Sequence, residues 1–77
     1  MIQWQDEAVI LSVRPHGESS AIVIVLSKER GRCAGLVRGA QSQNARGILQ
    51  PGNLVKVNWS ARLAEHLGVF KIELIKI

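Results

Sequence analysis

Ser20-Ala21-Ile22-Val23-Ile24-Val25-Leu26-Ser27 is almost continuously apolar and β-branched. A helix would restrict the rotamers of those Val and Ile side chains, so the run reads as a strand, buried on both faces for part of its length. Lys28-Glu29-Arg30-Gly31 is a polar turn, and Arg32 to Arg38 returns as the second arm of a hairpin with a charged tip. On the N-terminal side, Glu7 to Arg14 is a second apolar strand, stopped by Pro15-His16-Gly17. Pro removes a ladder donor and Gly accepts a positive φ. On the C-terminal side, residues 39–47 are small and polar without apolar periodicity, which predicts a loop or a single helical turn. After Pro51-Gly52, Leu54, Lys56 and Asn58 alternate with Val55, Val57 and Trp59, the signature of a half-buried strand. Residues 61–68 suit either one helical turn or a long hairpin connection. Phe70, Ile72 and Leu74 then alternate with Lys71 and Glu73, and the chain stops at Ile77 still in strand pattern. A domain end usually frays into polar residues, so residues 1–77 are expected to be one domain from a longer protein.

Five strands joined by Gly-rich turns predict an all-β fold with at most a trace of helix. An open five-stranded sheet of this length would leave too many apolar side chains in water. Curling into a small closed or partly open barrel buries one face and removes most edges. The glycines at 31, 35, 39 and 47 suit such coiling, with Gly35 and Gly39 placed within strands. An SH3-like barrel fits the size as well. At 77 residues the chain buries only roughly 60% of its unfolded surface. Its 47% hydrophobic content is enough for a packed core.

Catalytic chemistry finds little footing. His16 lies in a turn beside Glu18, and His66 follows Glu65, but spacing ties neither to a nucleophile. Cys33, the single cysteine, excludes an internal disulfide and a self-contained zinc site, and reads as a small, buried, inert residue. Asp6-Glu7 and Glu65 are too far apart to form a carboxylate pair, and no phosphate-binding glycine fingerprint is present. No enzyme activity, cofactor or metal is expected. No apolar run reaches the ~18 residues of a membrane span, and the N-terminus lacks a signal-peptide pattern. A soluble, cytoplasmic protein is the expectation.

The charge is more informative. Ten Lys and Arg against six Asp and Glu give a formal +4. All of that excess lies between Arg14 and Arg46, where Arg14, Lys28, Arg30, Arg32, Arg38 and Arg46 face only Glu18 and Glu29. Guanidinium forks match phosphate, and a localised positive field favours a polyanion. These six residues are the candidate nucleic-acid-binding set, with Arg30, Arg32, Arg38 and Arg46 expected to line one groove. Stacking platforms are few. Trp59 shares its face with Val55 and Val57 and reads as core, whereas Trp4 reads as partly exposed.

Several short motifs, taken in order, resemble the N-terminal domain of the bacterial RecO recombination mediators. They are Asp6-Glu7-Ala8-Val9-Ile10-Leu11, Arg14, His16-Gly17-Glu18, Gly31, Leu36-Val37-Arg38-Gly39-Ala40, Gln50-Pro51-Gly52, Arg62-Leu63 and Glu65-His66-Leu67-Gly68. The resemblance spans essentially the whole chain. It implies a Greek-key OB-fold barrel and a role in DNA repair and recombination. It also implies binding to single- and double-stranded DNA, annealing of strands coated by single-strand binding protein, and help with RecA loading together with the partner RecR. The chain departs from the family after Gly39, where Lys and Arg are usual. Here the segment reads Ala-Gln-Ser-Gln-Asn-Ala-Arg, which moves weight onto Arg14, Arg30, Arg32 and Arg38. Ala8 stands where the family has Gly.

The function expected is therefore a non-enzymatic DNA-binding OB domain of a recombination mediator, acting through sequence-independent phosphate contacts. A second reading is a protein-interaction barrel that tethers a repair factor to RecR through the apolar run from Leu67 to Ile77. A third, an RNA-binding barrel of the translation apparatus, shares the electrostatics.

Overall fold

Alternation along the apolar strand decides which side chains go inside. In the computed structural model, which describes residues 1–77, β2 (Ser20–Ser27) buries Ala21, Val23 and Val25 completely or nearly so. Its other face carries Ile22 and Ile24 half-buried and Leu26 exposed. The expectation of a strand buried on both faces is thus corrected: one face is core and the other is an apolar outer surface. The strand before it, β1 (Ile2–His16), is longer than the predicted Glu7 to Arg14. Residues 2–9 pair antiparallel with β4 (Leu54–Ala61), and residues 8–16 pair antiparallel with β2. One strand serving two partners must bend, and the register shift between Ile10 and Ser12 places a bulge at Leu11 where that happens.

β3 (Gly31–Val37) returns beside β2, and β5 (Val69–Lys76) lies antiparallel to β4. The ring closes in the order β1-β2-β3-β5-β4. This is the five-stranded all-β barrel expected, and it is consistent with an OB-fold. The closing seam is thin: β3 and β5 run parallel and meet at the single pair Leu36–Val69, supported by Leu36 N–H donating to Gly68 O at 2.9 Å.

Ala8, Ile10, Val23, Val25, Val55, Val57, Trp59 and Phe70 fill the interior. Burying a side chain the size of Phe70 contributes about 1.5–3 kcal/mol. Space beside that ring exists only because residue 35 has no side chain, since a Cβ there would lie 2.6 Å from Phe70 Cδ2. Gly39 lies in the turn after β3 with φ +70°, outside the strand that was expected to hold it.

The segment after that turn forms α1 (Gln43–Ile48). Ser42 caps it, its Oγ accepting from Ala45 N–H at 3.2 Å. The helix packs Ala45 and Ile48 against the core. It is tied down by buried Asn53, whose Nδ2 donates to Ile48 O at 3.0 Å while its backbone O accepts from Ile10 N–H at 3.0 Å. Between β4 and β5, residues 62–68 form turns and bends rather than a helical turn, so the hairpin alternative is the one adopted. No helix is long and apolar enough to cross a membrane.

Candidate nucleic-acid interface

The hairpin turn between β2 and β3 carries Lys28 and Arg30, with Arg32 one residue into β3, and all three side chains are exposed. A turn this charged would be mobile if nothing held it. Here it is stapled to β1 through Asp6. The Asp6 carboxylate accepts from Ser27 Oγ–H, from Glu29 N–H at 2.8 Å and from Glu7 N–H at 2.8 Å. Ser27 Oγ in turn accepts from Arg30 N–H at 3.2 Å, and Lys28 N–H donates to Glu7 O at 2.9 Å. These donors stabilise the ionised carboxylate, so Asp6 titrates below its ordinary value, chiefly because of Ser27 and then Glu29.

Arg30 folds back over the barrel. Its Cζ sits 4.8 Å from the centroid of the Trp4 ring, a cation–π contact. Trp4 is stacked on Trp59 at 5.8 Å and 18°, and meets Phe70 edge-on at 6.3 Å and 82°. Trp59 is buried as expected, and its Nε1–H is shared between Ala34 O (3.3 Å) and Leu67 O (3.2 Å). Trp4 is half-buried.

The other three candidates lie elsewhere. Arg14 pairs with Ile22 near the start of β2, and Arg38 follows Val37, which pairs with Ala21. Arg38 lies six steps along the chain from Arg32, about 20 Å at strand rise. Arg46, on α1, donates to Gln41 Oε1 at 3.4 Å, and Gln41 Nε2 donates to Ser20 O at 3.3 Å. The structure therefore separates the six cations into a tip group (Lys28, Arg30, Arg32) and a far-end group (Arg14, Arg38, Arg46). It does not gather Arg30, Arg32, Arg38 and Arg46 along one groove, because strand length outweighs nearness in sequence.

Cys33 is half-buried rather than fully buried, with Sγ 3.8 Å from Arg30 O. Burial pushes its thiol up, which disfavours the reactive thiolate. His16, expected in a turn, is the exposed last residue of β1, His66 is exposed on the connection between β4 and β5, and no three His, Cys, Asp or Glu side chains come together as a cation site. Sequence reasoning missed the role of Asp6 as a staple. The signal was the parity of Trp4, Asp6, Ala8 and Ile10, which puts the carboxylate on the inward face of a strand running back to Ile2.

Comparison with known proteins bears on this arrangement. The family model "Recombination protein O N terminal" matches residues 1–77. A protein named DNA repair protein RecO from Rhizobium etli is 56% identical over 72 residues, covering 94% of this chain and 28% of its own length. One of the same name from Bartonella tribocorum is 50% identical over 72 residues, covering 94% of this chain and 29% of its own length. A third, from Rhizobium rhizogenes, is 51% identical over 76 residues, with 99% of this chain and 29% of its own covered. The chain thus spans under a third of the length of these relatives. With a family match from the first residue to the last and identities near one half, this five-stranded barrel belongs to the RecO N-terminal family.

Proposed function

We propose that this chain is a non-enzymatic DNA-binding OB domain, the first domain of a longer recombination mediator that acts in DNA repair. The relatives' shared name, DNA repair protein RecO, supports the repair role. The observation that carries the binding role is the tip: three exposed cations on, or just past, a turn that Asp6 fixes to the barrel. Guanidinium and ammonium groups there neutralise phosphates and release counterions, a contact indifferent to sequence. On two strands at once, that neutralisation lowers mutual repulsion and favours annealing. The same reading makes single-strand binding protein and RecR the protein partners, RecA the indirect beneficiary, and the cytoplasmic nucleoid the place of action.

Titrating a labelled oligonucleotide at several salt concentrations tests this directly. Three tip contacts give a log–log slope of about −2 for a single strand, and all six cations about −4. A slope near zero removes the mechanism.

The second reading is a barrel that tethers the protein to RecR. It draws on Leu67, Leu74 and Ile75, which remain 44%, 38% and 47% exposed along β5 and the connection before it. A RecR pull-down run beside the titration separates the two, since RecR capture without DNA binding selects the tether.

A further inference from the structure

The thin seam between β3 and β5 leaves a cleft below the Leu36–Val69 pair. Its volume is about 470 Å³, inside the ~300–1,000 Å³ range of small-molecule sites. Ile2, Trp4, Ala34, Ala64 and Leu67 line it, Trp59 lies behind them, and Arg30 stands at its edge. No carboxylate borders it, and Arg30 is its one permanent charge.

The two tryptophans differ in what they have left to offer. The Trp59 N–H is committed to two backbone carbonyls, and its ring is core. Trp4 has no protein acceptor for its N–H, which is not buried, and one side of its ring is covered by the guanidinium of the exposed Arg30. A planar guanidinium stacked on an indole is the surface on which a base stacks, either on the outer face of the guanidinium or in its place.

We propose that this cleft is a stacking site for one unpaired nucleobase, with Trp4 and Arg30 as its plates. The proposal deepens the nucleic-acid reading given above and rests on it. Lys28 and Arg32, on the same stapled turn and the strand that follows it, supply charge for the phosphates flanking the inserted base. The apolar walls accept any base, since every base presents a π face, so the site adds affinity without reading sequence. It does discriminate by strandedness: in a duplex the π faces are stacked on their neighbours and cannot enter. The tip then takes phosphates from either form, while the cleft takes only a single strand.

The test compares an oligothymidylate with an oligomer of equal length that is abasic at every position, so that the phosphates are the same and the bases are removed. Binding is followed by anisotropy, and tryptophan emission is read alongside. The intact oligomer is expected to bind roughly 5- to 150-fold more tightly. It should also quench an emission component that is missing in Trp4→Phe. Arg30→Lys keeps the charge and removes the plate, so it should lower the intact-to-abasic affinity ratio, a readout that loss of a phosphate contact alone would leave unmoved because both oligomers share that contact. Trp4→Ala should abolish the advantage, and Arg30→Lys covers the case in which Trp4→Ala fails to fold. Equal affinity for both oligomers, with a normal salt slope, overturns the stacking site and leaves the phosphate reading standing. Binding to neither overturns both.

Discussion

The two ends of the β2–β3 hairpin each have three cations on or beside them and are built differently. At the tip, one carboxylate takes three hydrogen bonds and pins the turn to β1, while Arg30 rests on a tryptophan stack. At the far end, Arg14 and Arg38 stand on a strand terminus and a turn, and Arg46 holds only a long contact to Gln41. The same formal charge is pre-organised in one place and dispersed in the other. Binding stabilises a complex only by what remains after its groups are ordered, so the tip should dominate.

The most severe way to break this contrast is from below. Gly68 has φ +78°, and a Cβ there would run into the Trp59 indole. Gly68→Ala should therefore cost about 1–3 kcal/mol from overpacking, with roughly another 1–2 kcal/mol from the left-handed backbone. A thermal melt should show the midpoint falling by more than ~5 °C, and the Trp4–Arg30 contact should be lost with it. An unchanged midpoint would mean that Trp59 has room to move.

Next comes charge removal without damage to the core. Replacing Lys28, Arg30 and Arg32 together with Ala should reduce the single-strand salt slope by about 2. The matched far-end triple, Arg14, Arg38 and Arg46 to Ala, should leave most of the slope in place. Equal losses would show that the two ends bind as one surface and would erase the distinction.

Acidity sharpens the comparison from the side of the staple. Because the folded Asp6 titrates below its unfolded value of about 3.9, its contribution is fully present above that value. It is lost as pH falls through the lower, folded value. Amide exchange at Glu29 and Arg30 should accelerate relative to Ala45 and Leu49 as the pH drops below about 4, once intrinsic rates are corrected. Asp6→Asn should give the same selective loosening at neutral pH. Uniform acceleration at both ends would disprove the staple.

The smallest effect belongs to Arg46→Ala. It removes one long hydrogen bond and a cation in the last turn of α1, worth about 0.3–1 kcal/mol. A denaturant midpoint that moves further than this would reveal a contact through Arg46 beyond Gln41.

Much of the barrel was readable from side-chain parity. Val55, Val57 and Trp59 alternate with polar neighbours and are buried, and Phe70 follows the same rule on the partner strand. The first strand was read short because Gln3, Gln5 and Asp6 resemble a polar leader. The alternation of Gln3 and Gln5 with Trp4 and Asp6 acquires its meaning when β4 lies alongside. Gly35 looked like a coiling glycine, yet its function is to make room for Phe70, a residue 35 positions away.

Composition and alternation were enough for an all-β barrel with a basic N-terminal half, because burial parity and net charge are local properties that survive without coordinates. Which cations stand together, which tryptophan is free and which carboxylate holds the turn depended on register across strands distant in sequence. Those relations arise when a strand bends around a bulge and a ring closes through a single pair. Only the folded chain could supply them.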